Sequence, residues 1–203
     1  MTEICFVRHG ETDWNTIGKL QGRTDVPLNQ FGIKQAEACA EFLSQSSWDV
    51  IITSPLQRAK HTAAIIQQKL DIPLIEREAF IEIAFGEAEG LAQHERDILY
   101  PDRQYPNKEA ADIVTDRFLK GIQTVTQEYQ NQRILIVSHG AFISAILYHY
   151  SNGTIGTGLT KLANGGLNTI RLTSKASDVV SYNQTSHLPT RSSTHLFKQS
   201  PSK

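Results

Sequence analysis

Three apolar runs without polar interruption punctuate the chain: Ile4 to Val7, Val50 to Ile52 and Ile134 to Val137. A strand with one face in water alternates apolar and polar side chains, so continuous runs predict strands covered by helices on both faces. Between and after these runs, apolar residues recur at helical spacing. They are Ala36, Cys39, Ala40 and Leu43, then Ala59, Ala63, Ile66 and Leu70, then Val114, Phe118, Ile122 and Val125. Strands alternating with helices predict an α/β sheet. Toward the carboxyl end, Gly165 and Gly166 precede an alternating segment, Leu167 to Leu172, and Asp178 to Tyr182 is a candidate hairpin partner at the sheet edge.

Local signals refine this plan. Ser54-Pro55-Leu56-Gln57 offers an N-cap serine, a proline at the first helical position and a glutamine for a capping box, which puts Arg58 in the first turn of a helix. Residues 86–107 are irregular and rich in Pro, Tyr and charge, as expected of an excursion over the active face that is able to act as a lid. Residues 190–203 are polar, weakly basic and free of acidic residues, which predicts a mobile tail after a single domain over 1–189.

Composition narrows the partners. Lys plus Arg number 20 and Asp plus Glu 21, for a net charge of -1, so nothing calls for nucleic acid or an anionic membrane, and any anion site must be local. The two cysteines, Cys5 and Cys39, show no disulfide spacing and read as reduced, buried thiols. No apolar run approaches the roughly 18 residues of a membrane span, and the start lacks a secretory pattern, so the expected location is the cytoplasm. The expected assembly is a monomer or homodimer.

The candidate chemistry sits at two strand ends. The first run leads into Arg8-His9-Gly10-Glu11-Thr12 and the third into Ser138-His139-Gly140. In parallel α/β sheets ligands bind outside the carboxyl ends of strands, so two histidines there, one beside an arginine, suggest one anion-handling site. Arg58 points the same way, because a cation near a helix N-terminus is unfavourable unless an anion compensates it. The chain resembles the histidine phosphatase superfamily, the phosphoglycerate mutase-like enzymes. The pieces that carry the likeness are Val7 to Thr12 with Asn15, Gln21-Gly22, Asp25-Val26-Pro27-Leu28 before Gly32, Thr53-Ser54-Pro55-Leu56 with Arg58-Ala59 and Thr62-Ala63, Glu82 before Phe85-Gly86 and Glu89-Gly90, and Ser138-His139-Gly140. Arg-His-Gly alone would be a weak motif; these pieces in one order are not.

The resemblance implies a three-layer α/β/α sandwich around a mostly parallel sheet and a phosphatase acting on small phosphate monoesters through a phosphohistidine. It makes His9 the nucleophile and Glu82 the general acid. Arg8, Arg58 and His139 are then the phosphoryl donors, helped by the amides of Asn15 and Gln21 and by Gly22 and the Gly140 backbone. Chemistry agrees: a histidine attacks phosphorus only as a neutral, oriented ring, and charge spreading over phosphoryl oxygens needs donors already in place. An alkoxide leaving group needs a proton, so Glu82 must carry a raised pKa. Two arginines supply the charge that Mg²⁺ supplies elsewhere, so no metal and no cofactor are expected. Thr12, Trp14 and Ser138 are supporting residues, and His61, His94, His149 and His187 are structural or surface residues without a partner in view.

Two other functions share this residue set. A bisphosphoglycerate-dependent mutase would carry a longer excursion with a compact basic cluster, whereas here Arg96, Arg103 and Lys108 are scattered among acids. A non-catalytic phospho-ligand module would need the arginines but neither His9 nor Glu82. Phe85, Tyr100 and Tyr105 predict an apolar rim, and Ala88 stands where many relatives have tryptophan.

Overall fold

In the computed structural model, which describes residues 1–173 and 176–191, the three apolar runs lie in the middle of one sheet. Its strands are β1 (Thr2–Arg8), β2 (Val50–Thr53), β3 (Leu74–Glu76), β4 (Arg133–Ser138), β5 (Leu167–Leu172) and β6 (Ser177–Gln184), in the order β3-β2-β4-β1-β5-β6. Pairing is parallel from β3 through β2 and β4 to β1, and antiparallel from β1 to β5 and from β5 to β6. The edge hairpin expected near residues 167–182 is therefore present, with its second strand reaching Gln184.

The helices are α1 (Asp13–Thr16), α2 (Gln30–Leu43), α3 (Gln57–Leu70), α4 (Gln93–Leu99), α5 (Ala111–Glu128) and α6 (Gly140–Tyr150). Successive strand side chains point to opposite faces, which divides the core in two. Ile4, Phe6, Ile134 and Ile136 meet Val114, Phe118 and Ile122 of α5 and Phe142, Ile143 and Ile146 of α6. Cys5, Val7, Leu135 and Val137 meet Cys39, Ala40 and Leu43 of α2 and Ala59, Ala63 and Ile66 of α3. This is the three-layer sandwich, and truncating a side chain such as Ile136, 0% exposed, to alanine costs about 2–5 kcal/mol. Both cysteines are free and buried in the α2/α3 layer, and burial pushes the thiols of Cys5 and Cys39 up to about 11 and about 12.

The chain leaves β1 toward the α2 face and leaves β4 toward the α6 face, so these neighbouring strands frame the switch point of the sheet. Three details depart from the sequence expectations. The helix after β2 starts at Gln57, and its first turn is served not by Ser54 but by Asp25, whose Oδ1 accepts the Gln57 N–H at 2.8 Å. The excursion at 86–107 is partly regular, with a 3₁₀ turn at Gly86–Ala88 and the α4 helix. The first residues of the predicted tail are docked, because Arg191 pairs with Glu11 and stacks over the Phe31 ring at 5.0 Å; residues 192–203 lie outside the described residues.

Candidate active site

Strand register brings the histidines together. Arg8 pairs with Ser138 across β1 and β4, and one residue further the His9 N–H donates to the Ser138 carbonyl at 3.0 Å. The rings of His9 and His139 stand 5.2 Å apart. Gly10 holds this corner: its N–H donates to Thr62 Oγ1 at 3.0 Å, and a Cβ there would lie 2.3 Å from the Gly32 carbonyl oxygen. His9 Nδ1 lies 2.7 Å from the Gly10 carbonyl oxygen. A carbonyl only accepts, so Nδ1 carries the proton and Nε2 presents the lone pair. Burial, then Arg58 and Arg8, hold His9 well below the ordinary histidine value, which keeps the ring neutral. That is the state of a nucleophile.

His139 is equally buried and its pKa is driven down by burial and then by Arg58, His9 and Arg8. Its Nε2 lies 2.7 Å from Ser54 Oγ, which itself accepts the Leu56 N–H at 3.3 Å. Ser54 Oγ has no other acceptor for its proton among the described residues, which directs that proton to Nε2 and makes His139 Nδ1–H a donor aimed elsewhere. Ser54 thus serves the histidine instead of capping α3.

Both arginines are braced by carbonyls through their terminal nitrogens. Arg58, 1% exposed, donates from Nη1 to Thr24 O at 2.8 Å and from Nη2 to Gly22 O at 2.6 Å. Arg8 Nη1 donates to the Leu162 carbonyl, and burial, offset by Glu82, brings Arg8 down to about 10, so it stays charged at neutral pH. Arg8 Nε, Arg58 Nε and His139 Nδ1 are buried, and among the described residues none has a partner. Buried donors are nearly always matched, so three orphans in one mutually coupled group are exceptional.

Glu82, 7% exposed, sits at the start of α6. Its Oε1 accepts from the N–H groups of Ile83 and Phe142 at 2.9 Å each, and Oε2 accepts from Ala141 at 3.2 Å. Burial raises its pKa, and the raise outweighs the lowering by these N–H bonds and by Arg58. The α6 N-terminus that presents the Gly140 N–H thus also holds the Glu82 carboxyl through the next two residues. Gly140 matters by close approach: a Cβ there would lie 3.0 Å from Arg8 Nε.

The neutral candidates fall into supporting places. Asn15 Oδ1 accepts from Thr12 N at 3.1 Å and Asn164 Nδ2 at 3.1 Å, which occupies its amide oxygen. Gln21 is buried and its Oε1 accepts the Thr12 hydroxyl at 2.9 Å. Gly22, at φ +54°, gives its carbonyl to Arg58, and a Cβ there would collide with Glu89. Glu89 accepts from Arg23 N, Thr24 N and Phe85 N, linking the excursion to the loop that braces Arg58. Sequence reasoning missed Asn164, which also donates to the carbonyls of His9 and Gly10, and the Leu162 carbonyl; neither carries a motif. His187, expected to lack a partner, lies 3.1 Å from the Gly165 carbonyl oxygen and 3.4 Å from Cys39 Sγ, with its ring on Phe42.

Residues 4–185 match the model of the histidine phosphatase superfamily (branch 1). The chain belongs to that superfamily. As a histidine phosphatase it is 46% identical over 188 residues to the uncharacterized phosphatase PhoE of Bacillus subtilis (strain 168), covering 93% of this chain and 97% of the relative. It is 32% identical over 202 residues to the metal-independent phosphoserine phosphatase of Arabidopsis thaliana, covering 93% and 84%. The solved structure of Bacillus stearothermophilus YhfR superposes with a TM-score of 0.86 over 93% of this chain and 100% of that one, at 24% identity. This histidine phosphatase is an enzyme that acts through a phosphohistidine.

Proposed function

We propose that the enzyme hydrolyses small phosphate monoesters without a metal, with His9 as nucleophile. The observation that carries this is the set of orphaned buried donors, Arg8 Nε, Arg58 Nε and His139 Nδ1, grouped around a neutral His9 whose free atom is Nε2. These donors match phosphoryl oxygens, on which charge spreads during transfer. The Nε2 lone pair forms the N–P bond as the P–O bond to the leaving group breaks, and Glu82 gives its proton to the departing oxygen. A bound phosphate dianion raises the Glu82 pKa further by like-charge repulsion. Glu82, now ionised, takes a proton from water as the water oxygen attacks phosphorus, and the N–P electrons return to His9.

The arginines provide the positive charge a divalent cation provides elsewhere, and the Arabidopsis relative is named metal-independent. Among the described residues no group of three His, Cys, Asp or Glu side chains is placed to hold a metal. Two free thiols in one apolar layer support a reducing, cytoplasmic setting. Phosphoserine is the first substrate to try, given that relative. Tyr105 meets Tyr100 at 5.5 Å and Phe85 at 6.5 Å, an aromatic rim beginning three residues beyond Glu82 that favours esters with apolar groups.

Hydrolysis is favoured over the mutase reaction because the basic residues of the excursion are engaged separately. Arg96 donates to Leu91 O and Gln93 Oε1 at 2.6 Å each, and Lys108 lies 5.8 Å from the centres of the Phe85 and Tyr105 rings. The test is phosphorus NMR of wild-type and His9→Ala protein in chelator, with phosphoserine, an aryl phosphate, or 3-phosphoglycerate plus trace bisphosphoglycerate. Phosphate released by the wild type alone supports the proposal. Conversion to 2-phosphoglycerate that requires the bisphosphate would replace it with the mutase, and phosphate release surviving in His9→Ala would overturn the mechanism.

A further inference from the structure

Glu82 is carried by a stretch of backbone, residues 81–85, that belongs to no helix or strand. Such a segment has no ladder to hold it, yet its polar groups must be matched. Three of them, the Ala84 N–H and the carbonyls of Ile81 and Glu82, are matched by three charged side chains that play no part in the reaction described above. Glu109, its side chain 8% exposed, closes the excursion just before α5. Its Oε1 accepts Arg117 Nε at 3.0 Å, and its Oε2 accepts Arg117 Nη2 at 3.1 Å, Arg23 Nη2 at 3.1 Å and the Ala84 N–H at 3.2 Å.

The arginines pass this hold to the backbone around the acid. Arg117 Nη1 donates to the carbonyls of Ala79 at 3.0 Å and Ile81 at 2.7 Å, and Arg23 Nε donates to the carbonyl of Glu82 itself at 3.1 Å. The Glu109 N–H closes the loop onto the Ala84 carbonyl at 2.8 Å. The Arg117 guanidinium also lies 4.4 Å from the centre of the Phe142 ring, and the Phe142 N–H is one of the donors that grip the Glu82 carboxylate. One clamp therefore fixes both the backbone that carries the acid and the helix end that grips it. A paired, forked Arg–carboxylate contact sets direction as well as distance, which a lone charge does not.

We propose that Glu109 is a positioning residue for phosphoryl transfer, aiming Glu82 at the leaving oxygen through Arg117 and Arg23. The proposal rests on Glu82 being the general acid. A misplacement of about 1 Å costs on the order of 100-fold in rate, and only for a step that needs the misplaced group.

The experiment measures kcat/KM, which reports the transfer step, for a series of esters from glycerol phosphate to 4-nitrophenyl phosphate. The latter leaves without needing a proton. Glu109→Gln should lose about 10–100-fold on glycerol phosphate and less than about 3-fold on 4-nitrophenyl phosphate, steepening the dependence on leaving-group pKa. Glu82→Gln in parallel should show the same selectivity with a larger loss. Arg23→Gln, at a side chain 42% exposed and so safe for folding, should show it more weakly. If Glu82→Gln is selective while Glu109→Gln and Arg23→Gln are uniform or silent, the clamp is wrong and the acid stands. If Glu82→Gln itself shows no selectivity, the acid assignment fails and takes the clamp with it. Should Glu109→Gln not fold, the Arg23→Gln result alone decides the proposal.

Discussion

Two helix N-termini face the site, and each is filled by a carboxylate from a distant loop. At α3 the carboxylate is Asp25, exposed, accepting the Gln57 N–H; at α6 it is Glu82, buried, accepting from Ala141 and Phe142. Both carboxylates match N–H groups that a helix leaves without intrahelical partners. What differs is water. Asp25 braces the helix that presents Arg58, and solvent shares its charge. Glu82 lacks that solvent, so burial outweighs the same kind of hydrogen bonds and raises its pKa. One capping device serves as a structural pin in one place and, in the proposed mechanism, as a proton reservoir in the other, and the depth of burial separates the two.

Breaking this comparison starts from a floor. His9→Ala should lower phosphate release by on the order of 1,000-fold or more on every ester, measured by steady-state turnover, because the other neutral ring there, His139, has its Nε2 engaged by Ser54 Oγ. Against that floor, the amide substitution made at both helix ends separates their roles. Glu82→Gln should cost about 100- to 10,000-fold in kcat/KM on alkyl esters. It should also remove the alkaline fall of the rate profile, since the acid works only below its raised pKa. The acidic limb, set by protonation of His9 at a depressed value, should remain. Gly140→Ala, which pushes on the Arg8 guanidinium, should raise KM about 3- to 10-fold with kcat less affected. Asp25→Asn keeps an acceptor oxygen and should change kcat/KM by less than about 3-fold, while urea unfolding shows about 0.5–1 kcal/mol lost.

Stability against pH sharpens the same contrast. Glu82 has a raised folded pKa, so its contribution is complete below the ordinary 4.5 and is lost as pH rises through the raised value. His9 and His139 are depressed, so theirs is present above 6.5 and is lost as pH falls through the depressed values. In a pH series of urea midpoints, wild type should therefore lose stability relative to Glu82→Gln as pH climbs from 4.5, while His9 and His139, present in both proteins, make both lose stability as pH falls below 6.5.

The sequence made His9, His139 and Arg58 legible because each is announced locally, two by the apolar run before it and one by the turn that starts α3. The uninterrupted run Ile4 to Val7 also announced cover on both faces, though which of its residues met which helices came only from the structure. β3 was not legible, because Leu74–Glu76 is too short to show a period. Ser54 carried a true signal for a helix start that tertiary contact redirected, since bonding His139 across 85 positions satisfies a buried ring that capping would have left unmatched. The Leu162 carbonyl and Asn164 act at separations of 154 or 155 residues, where no spacing rule reaches.

The central position of β1 has a consequence for how the enzyme comes into being. Cys5 pairs with Leu135 on one side and Thr169 on the other, so β1 waits during synthesis for partners made more than a hundred residues later. Until β4 emerges, the run Ile4 to Val7 has no ladder on either side, and His9 has no His139 beside it. Loop closure of that length is slow and leaves an apolar strand open to wrong partners in the meantime. Activity thus arrives late in synthesis and all at once, and a chain halted before β4 carries an unpaired strand with His139 missing from beside His9.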